Sequence, residues 1–373
     1  MKISILSPDL SSNSIGRSYL LSKILSKKYS IEIVGPVLGK GVWDPIKSDK
    51  SINYKIINSK LDFKDIFSKI NGDIIYAIKP LGTSFGYGLL KKLYSKRPII
   101  LDIDDWDFGW FLDNKLSLIK SSLVFWKINN SFYTWILERM IKFADGITVS
   151  SLFLQKKFGG TIIPHARDTN FLDPKKYNRK NIRKKLGFEN EKIIMFFGTI
   201  RMHKGIDDLI SSIDLLKRKD IILMLVGADF NDPYVQSLNS INKNYIQIYG
   251  FQPFEKIPEF LSIADLVVLP QKKTNFSNAQ VPAKVFDAMA MAKPIIATDV
   301  SDLPKILRGC GLIVKSGDTQ SLAKKIKWVL ENPDKAKKLG KKAREKCIRE
   351  YSFDAVAPKL FKIFDKVINI NKK

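Results

Sequence analysis

The residues best equipped for chemistry are Arg201 and Lys204, in the stretch Gly198-Thr-Ile-Arg-Met-His-Lys-Gly205. The apolar run Ile193-Ile-Met-Phe-Phe197 leads into it, and a helix pattern starts near Gly205-Ile-Asp-Asp208. A buried strand that stops at a glycine, a short basic loop and a helix N-terminus make a natural anion site. Backbone N–H groups and the helix dipole point at the ligand there, and Arg201 and Lys204 add full charges. A diphosphate is the favoured ligand. An ordinary strand–helix turn with surface bases fits the same residues, and on them alone the two readings stand level.

The elements that would position this loop alternate along the chain. Short apolar runs at Ile3–Leu6, Ile31–Val34, Asp73–Ile78, Pro98–Ile103, Gly146–Val149 and Thr161–Ile163 read as strands, with amphipathic helices between them. Helical spacing runs from Tyr19 to Lys27, and Ser12–Arg17 reads as a loop ahead of it. After a change of character between Pro164 and Asn190, a second series follows: Ile193–Phe197, Ile221–Val226, Ile246–Tyr249, Leu266–Leu269, Pro294–Ala297 and Gly311–Val314. This β-α-β rhythm predicts α/β architecture with parallel sheets covered on both faces. The expected division is a first Rossmann-like domain over 1–168, a linker with a short helix over 169–190, and a second Rossmann-like domain over 191–350. A final amphipathic helix over 351–373 carries Phe361, Phe364 and Val367 on its apolar stripe and is expected to pack back toward the first domain, with 369–373 frayed. Ligands in such sheets bind at strand carboxyl ends, here expected to face an interdomain cleft.

Composition narrows the class. A chain of 373 residues with 45% hydrophobic content is globular and long enough for two cores. The formal net charge of +26, from 63 Lys+Arg against 37 Asp+Glu, favours phosphorylated substrates, acidic membrane surfaces or nucleic acid, and a lysine-rich coding bias accounts for part of it. Cys310 and Cys347 cannot staple a fold of this size, so a reducing cytoplasm is the default. No run approaches the ~20 apolar residues of a spanning helix, and the N-terminus reads as too short and too soon interrupted for a signal peptide. Two histidines and no paired cysteines argue against zinc, and no metal is expected.

The second half carries an ordered series. It runs Gly198…Arg201…Lys204-Gly205, Leu225-Val-Gly-Ala228, Tyr249-Gly-Phe251 and Ala264-Asp-Leu-Val-Val-Leu-Pro270. Pro282-Ala-Lys-Val-Phe-Asp-Ala-Met-Ala290, Lys293-Pro-Ile-Ile-Ala-Thr-Asp299 and Gly311-Leu-Ile-Val314…Gly317-Asp318 complete it. Over Lys192 to Leu330 this series resembles the nucleotide-sugar domain of retaining GT-B glycosyltransferases of family 4. The resemblance implies two doubly wound domains and transfer of a sugar from a UDP- or GDP-sugar to an acceptor hydroxyl, with retention and no required cofactor. It implies that Arg201 and Lys204 hold the donor diphosphate, Lys204 being the safer match because many relatives place the arginine at the position of Thr199. Asp287 stands where relatives have a ribose-binding glutamate. Ala279, flanked by Asn278 and Gln280, replaces the family's first carboxylate. Gly198, Asn278, Gln280, Val281 and Lys284 are implied donor neighbours, and Gly250 and Phe251 match where relatives cradle the base; Phe251 either stacks there or sits in the core.

The first half resembles the family in layout and in a few loop positions. Gly16 and Arg17 lie where relatives carry a glycine-rich loop near the donor, Gly16 for close backbone approach and Arg17 for phosphate. Lys79-Pro80 and Gly82-Thr-Ser84 follow another strand end. In Leu101-Asp-Ile-Asp-Asp-Trp-Asp107, Asp104 or Asp105 could orient an acceptor hydroxyl or bind a sugar; Mg²⁺ binding ranks lower, and a solvated loop is the plain alternative. Residues 106–143 hold Trp106, Phe108, Trp110, Phe111, Phe125, Trp126, Phe132, Tyr133 and Trp135, interleaved with Lys115, Lys120, Lys127, Arg139 and Lys142. Aromatics among bases suit an anionic bilayer interface, and a packed core helix with a mobile lid is the alternative. The expected partners are a nucleotide-sugar, a glycan or lipid-linked acceptor and an anionic membrane surface, with no nucleic acid, in the cytoplasm or at the inner face of the membrane. The rivals are a sugar phosphorylase or epimerase of the same fold, and a nucleic-acid-binding scaffold on a decayed transferase fold.

Overall fold

The computed structural model describes residues 1–58, 62–124, 126–241 and 243–371. Phe125 and the last two residues of the expected frayed end lie outside them. The chain forms two compact units. The first comprises Met1–His165, Asn278–Val281 and Phe353–Lys373; the second comprises Ala166–Ser277 and Pro282–Ser352.

In the first unit, β1 (Lys2–Leu6), β2 (Ser30–Pro36), β3 (Tyr54–Ile57), β4 (Ile74–Ile78), β5 (Ile99–Ile103), β6 (Gly146–Val149) and β7 (Thr161–Ile162) form one sheet. Their order is β3-β2-β1-β4-β5-β6-β7, and every pairing is parallel. β4 and β5 are buried along their whole length, as their unbroken apolar runs require in a sheet covered on both faces. In the second unit, β8 (Lys192–Phe197), β9 (Ile221–Ala228), β10 (Ile246–Gly250), β11 (Leu266–Leu269), β12 (Ile295–Thr298) and β13 (Leu312–Val314) pair in parallel in the order β10-β9-β8-β11-β12-β13. Each expected strand is present, its ends shifted by no more than two residues. The sequence reading lacks β3, an edge strand in which only Ile57 is fully buried, so no apolar run marks it.

Strand order reverses between β1 and β4, and again between β8 and β11. Helices leave to opposite faces there, which opens a crevice at the strand carboxyl ends. The helix after β1 starts at Ile15 rather than Tyr19, so Gly16 and Arg17 lie in its first turn, not in a loop. The helix Phe353–Asn371 packs on it within the first unit, with Tyr29 held between Phe361 and Phe364 at 5.9 Å from each ring. Residues 169–190 are not a free linker. The helix Arg179–Lys185 is fastened to the second unit through Arg183, which donates to the Ile263 carbonyl at 3.1 Å, and through Arg179, bound to Asp265.

Candidate functional site

The reversal between β8 and β11 holds a small cavity of about 200 Å³, counting the space open to solvent. Phe196, Lys204, Leu269, Gln271, Pro282 and Lys284 line it. Two glycines shape its floor. Gly198 has φ +101°, and a Cβ there would collide with the Lys284 side chain, so the lysine lies flat against the end of β8. Gly205 has φ +71°, and a Cβ there would sit 1.9 Å from the Pro270 carbonyl oxygen. The positive φ favours glycine at both positions, and at Gly205 the approach to the Pro270 backbone also excludes a side chain. The turn Met202–Lys204 therefore closes tightly against the end of β11 and carries the buried Lys204 into the cavity wall.

Burial, and secondly the charge of Lys204, push the Lys284 ammonium down to about 7, while Asp287 opposes the shift only weakly. Gln271 is 2% exposed, and its Nε2 finds no hydrogen-bond partner among the described residues. Two lysine side chains and a buried amide donor without a hydrogen-bond partner among the described residues thus meet at one wall. Most of that space is open to solvent, so the cavity is a shallow indentation at the strand ends rather than an enclosed pocket. The following helix, Ile206–Asp214, contributes less than expected, because Asp207 and Asp208 already occupy its positive end.

Several implied donor residues fall elsewhere. Arg201 is half-exposed and ion-paired with Asp232, and it is absent from the cavity lining. Both oxygens of Asp287 are taken by Arg167, with Nε–Oδ1 at 2.5 Å and Nη2–Oδ2 at 2.9 Å. Arg167 also donates to the Ala283 carbonyl at 3.1 Å, which fixes the turn that presents Lys284. Asn278–Val281 group with the first unit instead of a continuous 191–350 domain. Ala279 is fully buried in the first unit's apolar core and its carbonyl accepts from Ser151 Oγ at 2.9 Å; Val281 is buried as well. Gly250 ends β10 and abuts the Phe230 ring, and Phe251 is 40% exposed, which removes its core reading.

In the first unit, Arg17 has a structural role, not a phosphate-binding one. It is buried and bidentate to Asp102, with Nε–Oδ2 and Nη2–Oδ1 both at 2.9 Å, and it donates to the carbonyls of Ile163 and Pro164. Asp102 accepts further bonds from Thr148 Oγ1 at 2.6 Å and the Tyr76 hydroxyl at 3.2 Å. Every charge in this network is matched. Gly16 has open space where a Cβ would stand, so no close approach demands glycine there.

Beyond Asp102, one lysine faces three carboxylates. Lys79 Nζ lies 2.6 Å from Asp105, 3.1 Å from Asp107 and 3.9 Å from Asp104. One cation cannot neutralise three anions. Burial, reinforced by the charges of Asp105 and Asp102 and opposed by Lys79, pushes Asp104 up to about 8. Asp105, despite its burial, is held below the usual carboxylate range by Lys79 and by Gln280, whose Nε2 donates to it at 2.8 Å. The result is a neutral acid beside an ionised one, at the end of β5. Among the described residues no group of three or more His, Cys, Asp or Glu side chains could hold a metal ion; in this cluster the ammonium of Lys79 takes the central place.

Two doubly wound parallel-sheet units define the GT-B class of fold. Anabaena HepE in complex with UDP-glucose superposes with a TM-score of 0.76 at 16% identity, covering 98% of this chain and 100% of that one. Residues 178–346, nearly all in the second unit's share of the chain, match the family described as glycosyl transferases group 1, and the chain carries a domain of that family. Alpha-D-kanosaminyltransferase of Streptomyces kanamyceticus is 24% identical over 195 residues, 51% of this chain and 49% of that protein. The N,N'-diacetylbacillosaminyl-diphospho-undecaprenol alpha-1,3-N-acetylgalactosaminyltransferase of Campylobacter jejuni is 27% identical over 187 residues, 50% and 47% of the two chains. The chain thus spans about half the length of these curated relatives.

The buried Arg17–Asp102 pair gives a direct stability test. Arg17→Met leaves a buried carboxylate uncompensated and is expected to cost about 3–5 kcal/mol in urea unfolding, with Arg17→Met/Asp102→Asn recovering much of the loss. A cost below about 1 kcal/mol would contradict the structural role.

Proposed function

We propose that this chain is a glycosyltransferase that moves a sugar from a UDP-sugar to the hydroxyl of a glycan or lipid-linked acceptor, with retention at the anomeric carbon. The observation that carries the reading is the pair Lys204 and Lys284 with Gln271, around one cavity at the switch point of a group 1 glycosyl transferase domain. UDP is preferred to GDP because the neighbour named above holds UDP-glucose. The acceptor class follows from the diphospho-undecaprenol-linked sugar in the name of the Campylobacter relative. On this reading the protein works in the cytoplasm, peripherally where the acceptor is lipid-linked.

Lys204 and Lys284 hold the diphosphate through their ammonium groups, and Gln271 donates a neutral hydrogen bond to it. As the bond between the anomeric carbon and the β-phosphate oxygen breaks, the electron pair stays on that oxygen and the cations stabilise it. The acceptor oxygen bonds to the same face of the sugar, and its proton passes to the departing phosphate. No protein nucleophile is used. Asp104, kept protonated by its surroundings, and ionised Asp105 orient the acceptor hydroxyl. Asp287 acts through the placement of its helix, and Arg201 takes no part unless it leaves Asp232.

Lys204→Ala is expected to lower turnover of a UDP-sugar by about 10²–10³-fold with its urea unfolding midpoint unchanged; wild-type turnover would remove the assignment. The anomeric configuration of the product, read by proton NMR, checks retention. A pH series of UDP titrations checks the site itself. Below about 7 Lys284 is already charged in the empty cavity; above it, binding the anion must draw in a proton. Affinity should therefore fall as pH rises through that value, by up to about tenfold per pH unit, and Lys284→Met should flatten the profile.

A further inference from the structure

The helix Lys115–Ser122 has no buried residue. Polar groups hold it in place: Ser131 donates from its N–H to Ser121 Oγ at 3.0 Å and from its hydroxyl to the Leu118 carbonyl at 3.0 Å, and Asn130 Nδ2 donates to the Val124 carbonyl at 3.0 Å. It packs beside the helices Asp107–Asp113 and Ser131–Arg139 with Leu118 half-buried, yet Leu116 and Ile119 stay outside. Leu116 is 71% exposed, Ile119 59% and Leu123 64%. Their spacing of three and four residues puts them on one stripe. Trp126, 78% exposed, follows directly. This is the reverse of the core-helix reading, and a soluble surface rarely leaves such a run of large apolar groups uncovered.

The charge around the stripe selects what covers it. From Asn114 to Leu137 the chain carries Lys115, Lys120 and Lys127, all exposed, and no Asp or Glu. A second copy of this chain would bring the same three lysines against them, with +26 on each chain overall. Apolar side chains between lysines, ending in an exposed indole, suit the boundary between acyl chains and anionic headgroups. No helix among the described residues is long and apolar enough to cross a membrane, so the contact lies in the interface plane.

We infer that the stripe Leu116, Ile119, Leu123 and Trp126, flanked by Lys115, Lys120 and Lys127, docks the first unit onto an anionic bilayer surface. The docking deepens the reading of a lipid-linked acceptor but does not depend on the donor chemistry. The stripe inserts to the depth of its side chains, and the lysines face lipid phosphates. Substitutions here leave the cation cavity of the second unit untouched.

Flotation of the full chain with vesicles tests this. Expected is co-flotation with mixed phosphatidylcholine–phosphatidylglycerol vesicles and little with phosphatidylcholine alone. Leu116→Ser/Ile119→Ser/Leu123→Ser should reduce the bound fraction by about tenfold or more, and Lys115→Gln/Lys120→Gln/Lys127→Gln should remove the preference for the anionic lipid. The thermal shift with UDP should be the same in all variants; its absence in the wild type would count against the transferase reading alone. Equal flotation of wild type and the serine variant would overturn the docking surface. So would no flotation with the mixed vesicles, or a wild-type dimer that the serine substitutions dissociate.

Discussion

Lys204 and Lys284 line one small cavity at the point where the strand order of the second unit reverses. Asp287 stands near enough to be felt by Lys284, but Arg167 already holds both of its oxygens. Burial first, and the charge of Lys204 second, lower the Lys284 ammonium to about 7, and a bound anion would oppose that shift. Local structure enforces the juxtaposition. Gly198 and Gly205 both have positive φ, which favours glycine, and Gly205 lies so close to the Pro270 carbonyl at the end of β11 that a Cβ would not fit.

The same constraint explains why the fold is so strongly specified around the loop. β8 and β11 are buried along nearly their whole length and pair in parallel, so their carboxyl ends are fixed relative to each other by the sheet itself. Side chains placed there inherit that rigidity. The first unit handles charge in the opposite way. Arg17 and Asp102 are matched group for group, while one step outward Lys79 is outnumbered by carboxylates, and the surplus appears as a protonated Asp104. Saturated networks fix architecture; unsaturated ones mark where a ligand or a proton is exchanged.

Strands were legible because parallel sheets buried on both faces leave continuous apolar runs; β3 escaped because an edge strand need not. The place of Lys204 at the strand-end cavity was legible because strand end, glycine and helix start bracket it in sequence. Gln271 was not: nothing in the composition of its neighbourhood separates it from the loop that follows, although its place one residue past Pro270 at the end of β11 was a usable signal. Arg167 was equally hidden, since its partner Asp287 lies 120 residues away. Arg17 and Arg201 each have a carboxylate partner that the sequence reading did not anticipate. A basic residue beside a strand end looks like an anion ligand until its carboxylate partner, Asp102 or Asp232, is brought in by the fold. Burial cannot be read from spacing, so the exposed stripe at Leu116, Ile119 and Leu123 was indistinguishable in sequence from a core helix.

The most direct test of the central claim is a crystal structure of the protein soaked with UDP. The diphosphate should lie in the cavity with oxygens within hydrogen-bond distance of Nζ of both Lys204 and Lys284 and of Gln271 Nε2. Density for UDP seated elsewhere, or none while the two ammonium groups remain side by side in an empty cavity, would contradict it.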